Sequence, residues 1–165
     1  MTFAPRTWVV GEVVTAAYLN AEIRDQINSM LAAWTSYTPA WTAVTTNPTI
    51  GNGAIGGRYM LIGRTCHFAL EVSMGSTTAF GSGAYSLSLP FASAAGVGRI
   101  ATGQAVNSTG RGDLTCVIAS GNSVVNPFAP GASSSITNQL TSSGMFGGAW
   151  ANGSLIRING TYETN

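Results

Sequence analysis

The chain holds few residues that could do chemistry, and their spacing argues against a reaction. His67 is the sole histidine. Alternation along TCHFALEV, residues 65 to 72, puts it on the face opposite Cys66. Glu71 shares the face of His67 four residues on, too far for direct contact in an extended strand, so the histidine lacks the orienting partner that a general base needs. The carboxylates are Glu12, Glu22, Asp25, Glu71, Asp113 and Glu163, with no close pair outside one helical stretch. Glycosidase-type acid/base work or metal binding would therefore need a convergence the spacing does not announce. We expect no catalytic residue, no metal ligand, no cofactor and no enzymatic activity.

Three motifs have a chemical look and a plainer reading. Gly51-Asn-Gly53-Ala-Ile-Gly56 fits a dinucleotide fingerprint literally. That fingerprint needs a strand leading in and a helix N-terminus leading out, whereas strand-like residues follow here, so a glycine-rich turn is expected. With no lysine in the chain, a Walker loop is excluded as well. Arg111-Gly112-Asp113 spells an integrin-recognition tripeptide and reads equally as a turn into a strand. Asn107, Asn152 and Asn159 open glycosylation sequons, which carry weight only in a secreted chain.

Composition bounds the partners. The 165 residues suffice for one domain plus an appendage, charged residues are 8% of them, all seven basic residues are arginine, and the net charge is +1. Neutralising phosphates or anionic lipids takes a clustered surplus of cations, so neither a nucleic acid nor a membrane is an expected partner. The N-terminal MTFAPRTWVVGEVV shows neither a signal-peptide core nor a membrane-length apolar run, which leads us to expect synthesis in a cytoplasm. Cys66 shares its face with Phe68, Leu70 and Val72, and Cys116 shares its face with Leu114 and Ile118, a pattern that favours buried thiols over a disulfide.

Two kinds of element must carry these residues. TAAYLNAEIRDQINSMLAAW, residues 15 to 34, reads as a helix with Thr15 as N-cap and an apolar stripe at Leu19, Ile23, Ile27, Met30 and Trp34. Such a stripe either packs on its own domain or associates with other copies. Association is favoured, because the β domain behind it is large enough to bury its own core. From Trp34 onward the period is two. Strands are expected at 37–44, 57–62, 65–73, 84–89, 99–106, 113–120, 144–151 and 154–163, with loops at 90–98 and 126–143. Gly63-Arg64 and Asn152-Gly153 are expected to close hairpins. The expected fold is mainly β, an antiparallel β-sandwich of jelly-roll type preceded by one α-helix. Residues 1–35 would form an attachment arm and oligomerisation helix, and 36–165 a knob.

The run APRTWVVGEVVTAAYLNAEIRDQIN resembles the opening segment of small virion proteins of tailed bacteriophages infecting actinobacteria. Trp8, Gly11, Val14 to Ala17, Asn20, Arg24 and Asp25 carry the likeness. The following YTPAWTAVTTNPTIGNGAIGGRYMLIGRTCHF and the terminal INGTYE are similar to such proteins too. The resemblance implies a structural protein on the virion surface, made in the bacterial host cytoplasm. A trimeric capsid decoration or head-fibre protein is the preferred role, because a tail fibre usually carries a longer shaft. A minor tail or tail-fibre protein recognising host surface glycans is the alternative, for which Phe91 and Phe128, each beside a proline, are the exposed aromatics to watch. On this reading Leu19, Ile23, Ile27, Met30 and Trp34 form the trimer seam. Trp8, Val9 and Val10 anchor the arm to other virion proteins of capsid or tail.

Overall fold

The structure is a computed structural model describing residues 7–131, 134–145 and 148–165. It begins with the arm. The Thr15 hydroxyl accepts from the Tyr18 amide at 3.3 Å and starts the helix, as its residue type predicts. Helix α1 (Ala16–Leu19) passes through a π-helical turn (Asn20–Arg24) into α2 (Asp25–Leu31). The stripe steps by four, four, three and four. A π turn accommodates one residue more than an α turn, which keeps Leu19, Ile23 and Ile27 in line across the first two steps.

Ten strands follow and all pair antiparallel: β1 (Thr35–Tyr37), β2 (Trp41–Ala43), β3 (Ala54–Ile62), β4 (Thr65–Ser73), β5 (Tyr85–Ser88), β6 (Arg99–Asn107), β7 (Gly110–Ile118), β8 (Val124–Gly131), β9 (Ser134–Gln139) and β10 (Leu155–Glu163). The chain is mainly β. The sheet runs β1-β3-β4-β10-β6-β7-β8-β5-β2, with β9 appended to β8. Its two ends are β1 and β2, and only Thr38, Pro39 and Ala40 separate them in the chain. Four backbone steps reach at most about 14 Å, so the sheet must curl until its edges almost meet. A half-barrel results.

The continuous strand expected at 37–44 is thus two strands on opposite edges. Pro39 is the reason, since it has no amide hydrogen to give to a ladder. The second strand is secured at once, by Ala40 N–H to Ser88 Oγ at 2.8 Å and Ser88 N–H to the Ala40 carbonyl at 2.9 Å.

Alternation holds on β4, where Cys66, Phe68, Leu70 and Val72 are all buried, and on β7 with Leu114, Cys116 and Ile118. Small residues face the largest rings. A Cβ on Gly160 would lie 2.6 Å from Ala101 and 3.1 Å from Phe68, so Gly160 leaves the room in which Phe68 and Tyr162 pack edge to face at 5.6 Å. The expected Gly63-Arg64 hairpin joins β3 to β4, with Gly63 at a φ of 59°.

Three expectations need correction. Residues 126–143 are not one loop: VVNPFAPG is β8 despite its two prolines, with Cys116 opposite Pro127 and an irregularity at Pro130/Gly131 where the ladder gives way. Ser134–Gln139 then pairs with β8, while residues 132 and 133 lie outside the described residues. Residues 144–151 are not a strand. The chain folds back there through bridges from Gly144 to Thr141 and from Met145 to Gly148, while Phe146 and Gly147 lie outside the described residues. Asn152-Gly153 consequently turns into β10 without joining two strands, and the Gly153 N–H is bound to the Met74 carbonyl at 2.8 Å.

Asn107 holds that folded-back loop. Its amide nitrogen donates to the Met145 and Gly148 carbonyls, both at 2.8 Å, and its oxygen accepts from Thr109 N, Thr109 Oγ1 and Gly110 N. The side chain is buried, so this sequon offers no free amide. Met145 and Trp150, which looked like strand residues, are buried in the core from this loop. Replacing Asn107 with Ala removes one of two hydrogen bonds from each of the Met145 and Gly148 carbonyls, which keep their backbone partners, and takes the acceptor from three partly buried donors, so we expect a loss of about 1–3 kcal/mol in urea denaturation. A loss below about 0.5 kcal/mol would show that the loop is held by its apolar plug alone.

Candidate functional site

The surface with an unmet physical requirement is the arm. Leu19, Ile23, Ile27, Met30 and Trp34 lie on one stripe and are 38–51% exposed, as expected of an apolar face that its own domain does not cover. The main contact between arm and knob is α2 against β3. Towards its start the arm makes a turn, with Glu12 N–H bound to the Val9 carbonyl at 3.2 Å and Gly11 at a φ of 85°. Glu12 Oε2 in turn accepts from Val9 N–H at 3.3 Å. This turn leaves Val9 and Val10 exposed, while Trp8 stands edge-on to Tyr18 at 6.2 Å. The three proposed attachment residues therefore lie together at the far end from the seam's Trp34.

Below the arm, the outer face of β3, β4 and β10 forms an open groove of about 910 Å³, with Trp34 and Ser36 on one wall. Its floor is small: Ala54 and Gly56 come from β3 and Ala69 from β4. Arg157 of β10 stands opposite Glu71 of β4 and is ion-paired to it, and Arg58 and Asn159 also line the groove. Alternation along β3, β4 and β10 does place these residues on the outer face. The order in which the three strands pair, which assembles the groove, has no signal in the sequence.

The chemically suggestive residues are dispersed. Across the pairing of β4 with β10, His67 Nδ1 lies 3.0 Å from Thr161 Oγ1, while Glu71 is committed to Arg157. Among the described residues no three His, Cys, Asp or Glu side chains converge as metal ligands would. Gly51 and Gly53 are called for by crowding: a Cβ on Gly51 would sit 2.4 Å from the Thr77 carbonyl oxygen, and one on Gly53 2.3 Å from that of Ser73. Between them Asn52 accepts from the Thr77 amide at 2.9 Å and donates to Ser76 Oγ at 3.0 Å. The turn is filled by the chain itself.

Arg111, Gly112 and Asp113 do not form a turn. They pair with Val106, Ala105 and Gln104 inside the β6–β7 ladder, and the turn is Ser108-Thr109. Phe91 stays in its loop, edge-on to Tyr59 at 5.1 Å, with its backbone held by the Tyr162 hydroxyl. Phe128 lies in β8 opposite Thr115. Among the described residues Phe91 packs on Tyr59 and no ring contact joins it to Phe128. Among the described residues no helix is long and apolar enough to cross a membrane.

Both cysteines are buried free thiols. Burial pushes the Cys116 thiol up to about 12 and raises that of Cys66, which a hydrogen bond to Tyr162 partly offsets. Burial likewise raises Tyr85 and Tyr162. Comparison of the chain with protein families, curated proteins and solved structures found no match.

These buried acids set an alkaline limit. In the unfolded chain the thiols ionise near 9 and the phenols near 10. Folded, they hold their protons to higher pH, so stability is full below pH 9 and falls as pH rises toward 12. Each group ionised only in the unfolded chain removes about 1.4 kcal/mol per pH unit. Urea midpoints should be level from pH 7 to 8.5 and drop steeply by pH 11. A level midpoint through pH 11 would contradict the burial of these groups.

Proposed function

We propose that the chain is a structural protein of a bacteriophage particle, displayed on the virion surface as a homotrimer and acting as a capsid decoration or head-fibre protein. The observation that carries this reading is where exposed apolar surface lies. Of the large hydrophobic side chains left exposed, twelve lie between Trp8 and Trp34 and four, Val44, Phe91, Val97 and Ile100, in the rest of the described chain. Apolar surface concentrated this way marks an association site. It divides into the stripe from Leu19 to Trp34, suited to a seam between copies, and the Trp8, Val9 and Val10 end, suited to a pocket on another virion protein.

The knob suits display. Its surface is polar and sparsely charged, with Glu71 and Glu163 paired to arginines, which leaves its behaviour little dependent on salt. We read its curled sheet as a sandwich-like closure of jelly-roll type, in support of which Trp41 of β2, Tyr85 of β5 and the core residues of β4, β6 and β10 form one cluster. The function is binding without chemistry: burial at the seam, anchoring at the arm's end, and avidity over many copies on the particle. The resemblance of residues 4 to 28 to openings of phage virion proteins supplies the address.

Two experiments test the parts separately. Wild-type protein is expected to scatter light as three chains, and Ile23→Asp with Ile27→Asp to give monomers, because each charge would otherwise be buried in the seam at a cost of several kcal/mol. A monomeric wild-type protein would end the trimer reading.

Removal of residues 1–14 spares the seam and the knob. The shortened protein is expected to remain a folded trimer that no longer co-sediments with particles. Full occupancy on particles would show that attachment lies elsewhere.

A further inference from the structure

The seam is too small to hold three copies alone. Stable interfaces engage about 20–30 residues a side, and the stripe offers five on a helix of about two heptads. Further contact must come from surface continuous with the stripe. Trp34 supplies the continuity, because it ends the stripe and lines the groove below. Leu31 is the second clue: it is 78% exposed, next to Met30 and off the stripe, so a seam built on the stripe leaves it uncovered. In bundled helices such flanking positions face the neighbouring chain.

We infer that the groove on the outer face of β3, β4 and β10 is the seat for a second copy of this chain, whose Leu31 enters it. The inference rests on the trimer reading and names the part of the knob that completes the interface. A leucine projecting from the arm's base meets a floor of Ala54, Gly56 and Ala69, which lets a neighbouring backbone come close. The charged pair of Glu71 and Arg157 is already neutralised within its own chain, so covering it leaves no orphan charge. Arg58 lies beside Ser36 of β1 in the pairing register, where its long stem can cover apolar contact while the guanidinium stays in water. In a cyclic trimer each Leu31 fills the groove of the next copy, and the ring closes.

Gly56→Trp is the direct test. A Cβ at Gly56 meets nothing within 4 Å, so the fold tolerates the side chain while the groove is filled. Sedimentation velocity over a dilution series is expected to show the trimer dissociating at least tenfold more readily, with an intact far-UV spectrum. The full chain carrying Leu31→Cys and Gly56→Cys gives a second readout, because both native thiols are buried. Mild oxidation should produce covalent trimers on a non-reducing gel, which neither single variant yields. Unchanged dissociation of the Gly56→Trp variant, with the paired cysteines closing only within one chain, would overturn the groove contact and leave the seam standing. A monomeric wild-type protein would remove both. A Gly56→Trp variant that keeps its trimer but loses binding on a saccharide array would make the groove a sugar site and likewise overturn the inference.

Discussion

The crossing at Thr38-Pro39-Ala40 is the constraint on which the rest of the structure depends. Because three residues connect the two ends of a nine-stranded path, the sheet cannot lie open, and the curl brings the side chains of β4, β6, β7 and β10 round toward those of β2, β5 and β8. It also disposes of the edges. A sheet with long free edges invites pairing with other chains, whereas here the strands at the two ends of the path are each three residues long. The crossing has a cost, since the Tyr37 hydroxyl and the Trp41 indole nitrogen on either side of it are buried with no hydrogen-bond partner among the described residues. Each orphan costs about 1–3 kcal/mol. The rings offset it, with Tyr37 packed over Gly57 and edge-on to Tyr59, and Trp41 edge-on to Tyr85 at 5.1 Å.

The same crossing separates two surfaces with different needs. Behind it the knob is self-sufficient: its core is closed, its long loops are tied by Asn107, Asn52, Ser93 and Tyr162, and its outer surface is polar. Ahead of it the arm is held by one helix contact and a short edge strand, and carries most of the exposed apolar side chains. A core closed in one part of the chain and apolar surface left exposed in another is the contrast on which the proposed assembly role rests.

Charge has a minor part in the fold. Glu163 is shared between Arg99 at 3.0 Å and Arg64 at 3.6 Å, and Arg157 pairs with Glu71. These are surface pairs, worth about 0–1 kcal/mol each. Their value is positional, because Arg99 also donates to the Ala94 carbonyl and so pins the 90–98 loop to the C-terminal strand. Uncharged amide and hydroxyl groups do most of the comparable work elsewhere, as the composition leads one to expect.

By itself the sequence determined what depends on neighbours along the chain. Thr15 as helix cap, the apolar stripe, the inward set of β4 and β7, the buried thiols and the Gly63-Arg64 hairpin all follow from local sterics and from the periods 3.6 and 2. Tertiary structure decided what depends on partners distant in the chain. PFAPGAS reads as a loop because prolines lack a ladder donor, yet it is largely strand, since β7 needed a neighbour and Pro127 occupies a place where its carbonyl alone is used. GMFGGAWA alternates as a strand would, yet Asn107, 38 residues before Met145, folds it into a loop. The groove is the clearest case: alternation puts Gly56, Glu71 and Arg157 on outer faces, but only the antiparallel register of three strands from opposite ends of the chain sets them side by side. Side-chain period is a local property that repeats every two residues, whereas which strands pair is settled by burying all the inward faces at once.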